Sequence, residues 1–148
     1  MAVYRFETRI AAPPQVVFDL WTNLDRMAEW VGGVTGVTDV TGPPGQAGTR
    51  YVVRFGSMRS PTEVLEADPP RYLRAKFGNP ILRGQTTVRL EQDGDGTRLT
   101  QEFRTEGFIP ALMARIFAMG SYRGSFRGEL DAFARLAEAE ARQQHGHL

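Results

Sequence analysis

A chain of 148 residues, 41% hydrophobic and 24% charged, has the length and balance of one globular domain spanning 1–148, large enough to bury a core without covalent staples. A formal net charge of +1 gives no overall attraction to nucleic acid or an anionic membrane, and with no cysteine there is no disulfide or thiolate chemistry. No apolar run approaches the roughly 20 residues that span a bilayer, and the opening MAVYRFETRI carries charges where a signal peptide needs an apolar stretch. The expectation is a cytoplasmic protein that neither binds nucleic acid nor inserts into a membrane. Its arginines are scattered rather than clustered, and Lys76 is the only lysine.

In VYRFETRI, Tyr4, Phe6, Thr8 and Ile10 alternate with Arg5, Glu7 and Arg9, the pattern of a half-buried strand. Pro13 and Pro14 end it and suit the entry to a helix, in which Val16, Val17, Leu20 and Trp21 recur at helical spacing. Asn23 or Asp25 is placed to cap a second short helix carrying Met27, Trp30 and Val31. The texture then changes. VTGVTDVT reads as a strand, GPPGQAG as a loop, TRYVVRF as a strand and GSMRSP as a turn. TEVLEA and YLRAKF flank a corner at Pro69 and Pro70, which have no N–H to give to a sheet. TTVRLEQ and TRLTQEFRTE flank DGDG, a strong hairpin signal. From Pro110 to about Arg142 the spacing predicts one long helix, with Leu112, Ile116, Met119, Phe126, Leu130, Phe133 and Ala137 as its apolar stripe. The tail from about residue 143, RQQHGHL in its surroundings, is expected to fray.

Strands joined by short turns imply an antiparallel sheet, and a seven-stranded sheet with one apolar face must be covered. The expected class is α+β: a curved seven-stranded antiparallel sheet wrapped around a long C-terminal helix, with two short helices after the first strand.

VVFDLWTNLDRMAEW, EVLEADPPRYL and GTRLTQEFRTEG followed by an amphipathic helix resemble, in order, the first helix pair, the strand-Pro-Pro-strand corner and the closing strand of the START-like, or SRPBCC, superfamily with its helix-grip fold. The likeness runs over essentially the whole chain and is greatest to bacterial proteins of the polyketide cyclase/dehydrase type. It implies a pocket for a small hydrophobic or aromatic molecule, a lipid or polyketide among them. Two alternatives stay open on the same fold: a polyketide cyclase or dehydrase acting on an aromatic or poly-β-keto substrate, and a protein-interaction module. The superfamily's fold carries all three, so the site must decide. Nothing in the sequence chooses between monomer and homodimer.

Alternation places Tyr51, Val53 and Phe55, Leu73, Ala75 and Phe77, Thr86, Val88 and Leu90, and Leu99, Gln101, Phe103 and Thr105 on the same inward face as Tyr4 to Ile10. Trp30, Tyr51, Phe55, Phe77 and Phe103, with Met113 and Phe117 from the long helix, are candidate walls of a ligand cavity, or else plain core. Gln101 and Thr105 are its candidate polar anchors, or are hydrogen-bonded to neighbours and buried water. Catalytic candidates are sparse. The only histidines, His145 and His147, lie in the tail, so the body has no histidine base and no Ser-His-Asp arrangement. Neither a metal nor another cofactor is expected. Glu66 is a candidate acid or base by its parity with Thr62 and Val64, but Leu65 and Ala67 make the other face as apolar, which makes a solvated carboxylate its ordinary reading. Arg123 lies seven residues from both Ile116 and Leu130, hence near the apolar stripe, where a guanidinium either snorkels out to water, pairs with an internal carboxylate, or anchors a carboxylate, phenolate or carbonyl of a ligand. Gly120, Gly124 and Gly128 repeat every four residues, as close approach to another backbone, a bend or room for a ligand would require.

Overall fold

The computed structural model describes residues 2–78, 83–106 and 122–146. Its strands are β1 (Ala2–Ile10), β2 (Gly36–Thr38), β3 (Arg50–Phe55), β4 (Met58–Asp68), β5 (Tyr72–Gly78), β6 (Arg83–Asp93) and β7 (Gly96–Glu106). Helix α1 (Pro14–Trp21) and a 3-10 helix (Leu24–Glu29) follow β1, and helix α2 (Tyr122–Gly146) closes the described chain. The seven strands form one antiparallel sheet in the order β1-β7-β6-β5-β4-β3-β2. This is the expected helix-grip architecture: a curved sheet holding a C-terminal helix.

Local chemistry explains the elements. Pro14 occupies the first helical position of α1, where its missing N–H is not needed. Asn23 precedes the 3-10 helix without a side-chain cap bond. The DGDG hairpin is a two-residue turn, Asp93 facing Gly96, with Gly94 at φ 62° as a type II′ turn requires at its first position. Three boundaries differ from expectation. β4 begins at Met58 rather than Thr62, because Phe55 pairs with Met58 across a tight Gly56–Ser57 turn. Pairing of β4 with β5 stops at Thr62–Phe77, next to Pro61, which has no N–H to extend it. And α2 runs on to Gly146, through Gln143 and Gln144, both good helix formers, instead of fraying near 143.

The core lies between the concave face of the sheet and the two helices. Ile10, Val64, Leu73, Val88, Leu90 and Leu99 from the sheet meet Val17 and Leu20 of α1 and Leu130, Phe133, Ala137 and Ala141 of α2. Of the expected helical stripe, Leu130, Phe133 and Ala137 are buried as read; Leu112, Ile116 and Met119 lie outside the described residues, as does the side chain of Phe126. Polar contacts fix the placement of α2. Ala11 N–H donates to Glu138 (2.8 Å), Arg127 donates to the carbonyl of Glu7 (2.9 Å), and Arg26 of the 3-10 helix bridges Glu29 and Glu140 (2.7 and 3.0 Å). Hydrogen bonds donated to those two carboxylates push the Arg26 guanidinium above its ordinary value, and Arg26 in turn pulls Glu29 down.

Thr97 is a buried polar residue in the core, and its hydroxyl donates to the carbonyl of Ala12 (2.7 Å), tying β7 to the start of the helical pair. Thr97→Val leaves that carbonyl unsatisfied and is expected to cost about 1–3 kcal/mol in denaturant unfolding. Thr97→Ser, which keeps the hydroxyl, should cost less than Thr97→Val; equal losses would show that the hydrogen bond is not what matters.

Candidate functional site

Strand register decides which side chains face α2. Tyr4 pairs with Phe103 and Phe6 with Gln101; Phe103 pairs with Thr86, Thr86 with Ala75, Thr62 with both Phe77 and Tyr51. One row of side chains therefore runs across the concave face from Tyr4 to Val64, and the inward assignments made by alternation hold. Phe77 stacks on Phe103 with ring centroids 5.1 Å apart and planes 22° from parallel, and Tyr4 stands 6.4 Å from Phe103. Phe103 is buried, whereas Tyr51, Phe55, Phe77, Gln101 and Thr105 are only partly covered.

Gly84 makes this stack possible. It pairs with Phe77 on one side and Thr105 on the other, and a Cβ there would sit 2.8 Å from the Phe77 ring and closer still to the carbonyl of Arg104. No alternation rule points to it; a glycine inside a strand pattern, marking close approach, was the available signal.

Polar groups on the concave side divide into satisfied and unsatisfied. Among the described residues, no hydrogen bond is made by the Gln101 amide or the Tyr51 hydroxyl. Burial pushes the Tyr51 phenol up to about 12, so it stays a neutral donor and acceptor. Thr105 is not free: it has a partner of its own. Trp30 packs against Trp21 and Phe133, at 4.9 and 4.8 Å between centroids, while Trp21 and Phe133 meet edge-on at 5.1 Å. This triad is core rather than open wall, and it leaves the Trp30 indole N–H buried without a hydrogen-bond partner among the described residues.

Glu129, on α2 one turn before Phe133, was not singled out by sequence. It accepts a hydrogen bond from Gly32 N–H (3.1 Å). Burial pushes its carboxyl up, and the Gly32 hydrogen bond only partly offsets this. No cation pairs with it among the described residues.

Two sequence expectations are corrected. Glu66 does not face the cavity. Val64 pairs with Ala75 but Glu66 pairs with Arg74, so Leu65 is an extra, bulged residue that reverses the parity. Glu66 therefore lies on the outer face, ion-paired with Arg74, and cannot be the pocket's acid or base. Gly128 meets nothing within 4 Å of where a Cβ would stand and is exposed, so at this position the glycine repeat marks neither close approach nor space beneath the helix. Arg123 falls within α2, but its side chain lies outside the described residues, as do Met113 and Phe117.

The outer face has a different character. An open groove of about 450 Å³ there is lined by Arg5, Glu66, Tyr72, Arg74, Gln85, Thr87, Arg89, Thr100, Glu102 and Arg104. Arg74–Glu66, Arg104–Glu102 and Lys76–Glu63 pairs cover this side with compensating charge, the pattern of a solvated face.

The pH dependence of Glu129 follows from its environment. A carboxyl raised on folding adds stability that is fully present below its unfolded value of 4.5 and is lost as pH rises through its folded value. Glu129→Gln, which keeps an acceptor for Gly32, is therefore expected to raise the melting temperature at pH 7. The gain should shrink as pH falls towards 4. A gain that is unchanged or larger in acid contradicts the assignment.

A family model described as polyketide cyclase/dehydrase and lipid transport matches residues 1–138. No curated protein matches the chain. Among solved structures, a Thermobifida fusca protein is similar at TM-score 0.72 and 19% identity over 95% of both chains. Ara h 8.0201 matches at TM-score 0.72 and 14% identity, covering 93% of this chain and 98% of its own. DynU16, from the dynemicin biosynthetic locus, matches at TM-score 0.66 and 21% identity, over 92% of this chain and 47% of its own. These likenesses share the fold, and the whole-length match places the chain in the polyketide cyclase/dehydrase and lipid-transport family, within the SRPBCC superfamily.

Proposed function

We propose that the chain binds a small hydrophobic or aromatic molecule between the concave face of the sheet and the C-terminal helix. The observation that carries this reading is the mixed character of that face. Partly covered aromatic rings, Phe55, Phe77 and Tyr51, share that face with the Gln101 amide and the Tyr51 hydroxyl, which make no hydrogen bond among the described residues. An apolar wall with a few polar anchors is the usual make-up of a ligand pocket. The family's description, which joins polyketide chemistry to lipid transport, fits an apolar or polyketide-like cargo. Gln101 and the Tyr51 hydroxyl then hold its oxygens. The outer face, with its paired charges, is unsuited to such a molecule.

The chemistry favours binding over turnover. With Glu66 turned outward and the Tyr51 phenol too weak an acid to ionise at neutral pH, the acid or base left on this side among the described residues is Glu129, and its carboxylate is committed to Gly32 N–H.

The test is binding of the apolar dye 1-anilinonaphthalene-8-sulfonate to the native protein. Binding should be saturable, and Phe103→Ala should weaken it by about tenfold, equivalent to about 1.4 kcal/mol. Arg89→Ala on the outer face should leave it unchanged. A native protein that binds no apolar dye, or binds it equally well without the Phe103 ring, contradicts the proposal.

A further inference from the structure

The groove on the outer face has short side chains in its floor and long ones on its rim. Thr87 and Thr100, on the neighbouring strands β6 and β7, are half-buried, while Arg5, Arg89 and Arg104 around them are exposed. Register sets the arrangement. Arg89 of β6 stands directly opposite Thr100. On the other side Thr100 pairs with Glu7 of β1, so Arg5, two residues earlier, is its diagonal neighbour. Thr100 thus lies between two arginines, one on each flanking strand.

The ion pairs of this face leave a remainder. Arg74 is taken by Glu66, Arg104 by Glu102 at 2.8 Å, and Arg98 takes Glu7 at 3.0 Å. Arg5 and Arg89 make no ion pair or hydrogen bond among the described residues, and the Thr87 and Thr100 hydroxyls make no hydrogen bond among them. Four arginines against two glutamates leave the groove lining at +2, on a chain whose whole net charge is +1. Arg89 is also held in place, its guanidinium 4.8 Å from the centroid of the Tyr72 ring. A cation already fixed on a ring loses less freedom when it meets an anion. The volume of about 450 Å³ falls within the range of about 300–1,000 Å³ usual for small-molecule sites.

We propose that this groove binds a soluble phosphate monoester through Arg5, Arg89 and the Thr87 and Thr100 hydroxyls. The charge of the lining matches the dianion that such an ester carries above its second pKa of about 6. Donors come from both flanking strands and from the floor, which suits the three terminal oxygens of a phosphoryl group better than the two coplanar oxygens of a carboxylate. No aliphatic side chain lines the groove to enter a bilayer, so the ester is a free molecule rather than a lipid headgroup. The sheet separates this site from the concave face, and the proposal does not depend on the pocket reading above.

The test is titration of isotope-labelled protein with glycerol 3-phosphate at pH 8 and low salt, where the ester is a dianion, followed through backbone amide resonances. Saturable shifts should centre on Arg5, Thr87, Arg89 and Thr100, with Val53 and Phe103 of the concave face unmoved. Glycerol should cause none, and succinate, a dianion of different shape, should bind about tenfold more weakly. Arg5→Gln and Arg89→Gln should each weaken the ester about tenfold, the loss of one charge-assisted hydrogen bond. Thr100→Val, which keeps the branched side chain and removes the hydroxyl, should weaken it as well. Arg135→Gln removes the same charge from an exposed position on α2 and should leave the affinity in place. The wild-type shift map stands whether or not a variant folds. The site is overturned by the absence of saturable shifts, by shifts at the concave face instead, by succinate binding equally well, or by an equal loss in Arg135→Gln. Binding to phosphatidic acid vesicles without binding to the soluble ester also overturns it.

Discussion

The concave face of the sheet is apolar and cannot be left in water; covering it is the constraint from which the rest of the structure follows. Phe133 is the centre of that cover. It is fully buried, it touches Trp21 and Trp30 at ring-centroid distances of 5.1 and 4.8 Å, and its helix lies over Ile10, Val88, Leu90 and Leu99. Each such side chain contributes about 1.5–3 kcal/mol on burial, so the seam of Leu130, Phe133, Ala137 and Ala141 is what fixes α2 on the sheet. The surrounding polar contacts, Ala11 to Glu138, Arg127 to Glu7 and Arg26 to Glu140, set its rotation and height more than its affinity.

The packing is not uniform along the sheet. Ile10 of β1, Val88 and Leu90 of β6 and Leu99 of β7 are closed off beneath the helices. Towards β3 and β5 the concave side chains include the partly covered aromatics Tyr51, Phe55 and Phe77, and the Tyr51 hydroxyl there makes no hydrogen bond among the described residues. A protein selected for stability alone would fill this region with aliphatic side chains. Its aromatic, partly polar lining is the physical basis for reading it as a binding surface. The same gradient separates the two faces: outward side chains are mostly charged, inward ones rings and aliphatics.

Much of this was legible in the sequence because period-2 alternation leaves little freedom. Once Tyr4 and Phe6 are taken as inward, pairing through β7, β6 and β5 carries the face as far as Phe77 and Thr62, and the aromatic set follows. The alternation fails at Leu65, where one bulged residue reverses the parity and sends Glu66 outward to Arg74. A bulge of this kind has no residue signature beyond two equally apolar faces, which TEVLEA does show. Glu129 was missed for a different reason. On a helix it reads as an ordinary exposed glutamate, and only the tertiary approach of Gly32 gives it a partner and takes it half out of water. Gly84 likewise acquires its meaning only from the Phe77 ring and the Arg104 carbonyl of neighbouring strands.

The central claim is that the concave face, not the charged outer one, takes an apolar ligand. Intermolecular nuclear Overhauser contacts between unlabelled naphthalene and isotope-labelled protein test it most directly. The account predicts contacts from the probe to Phe77, Phe103, Val53 and Tyr51 on the concave face, and none to Tyr72, Thr87 or Arg89 on the outer face. Contacts confined to the outer face, or a probe that touches neither, would contradict it.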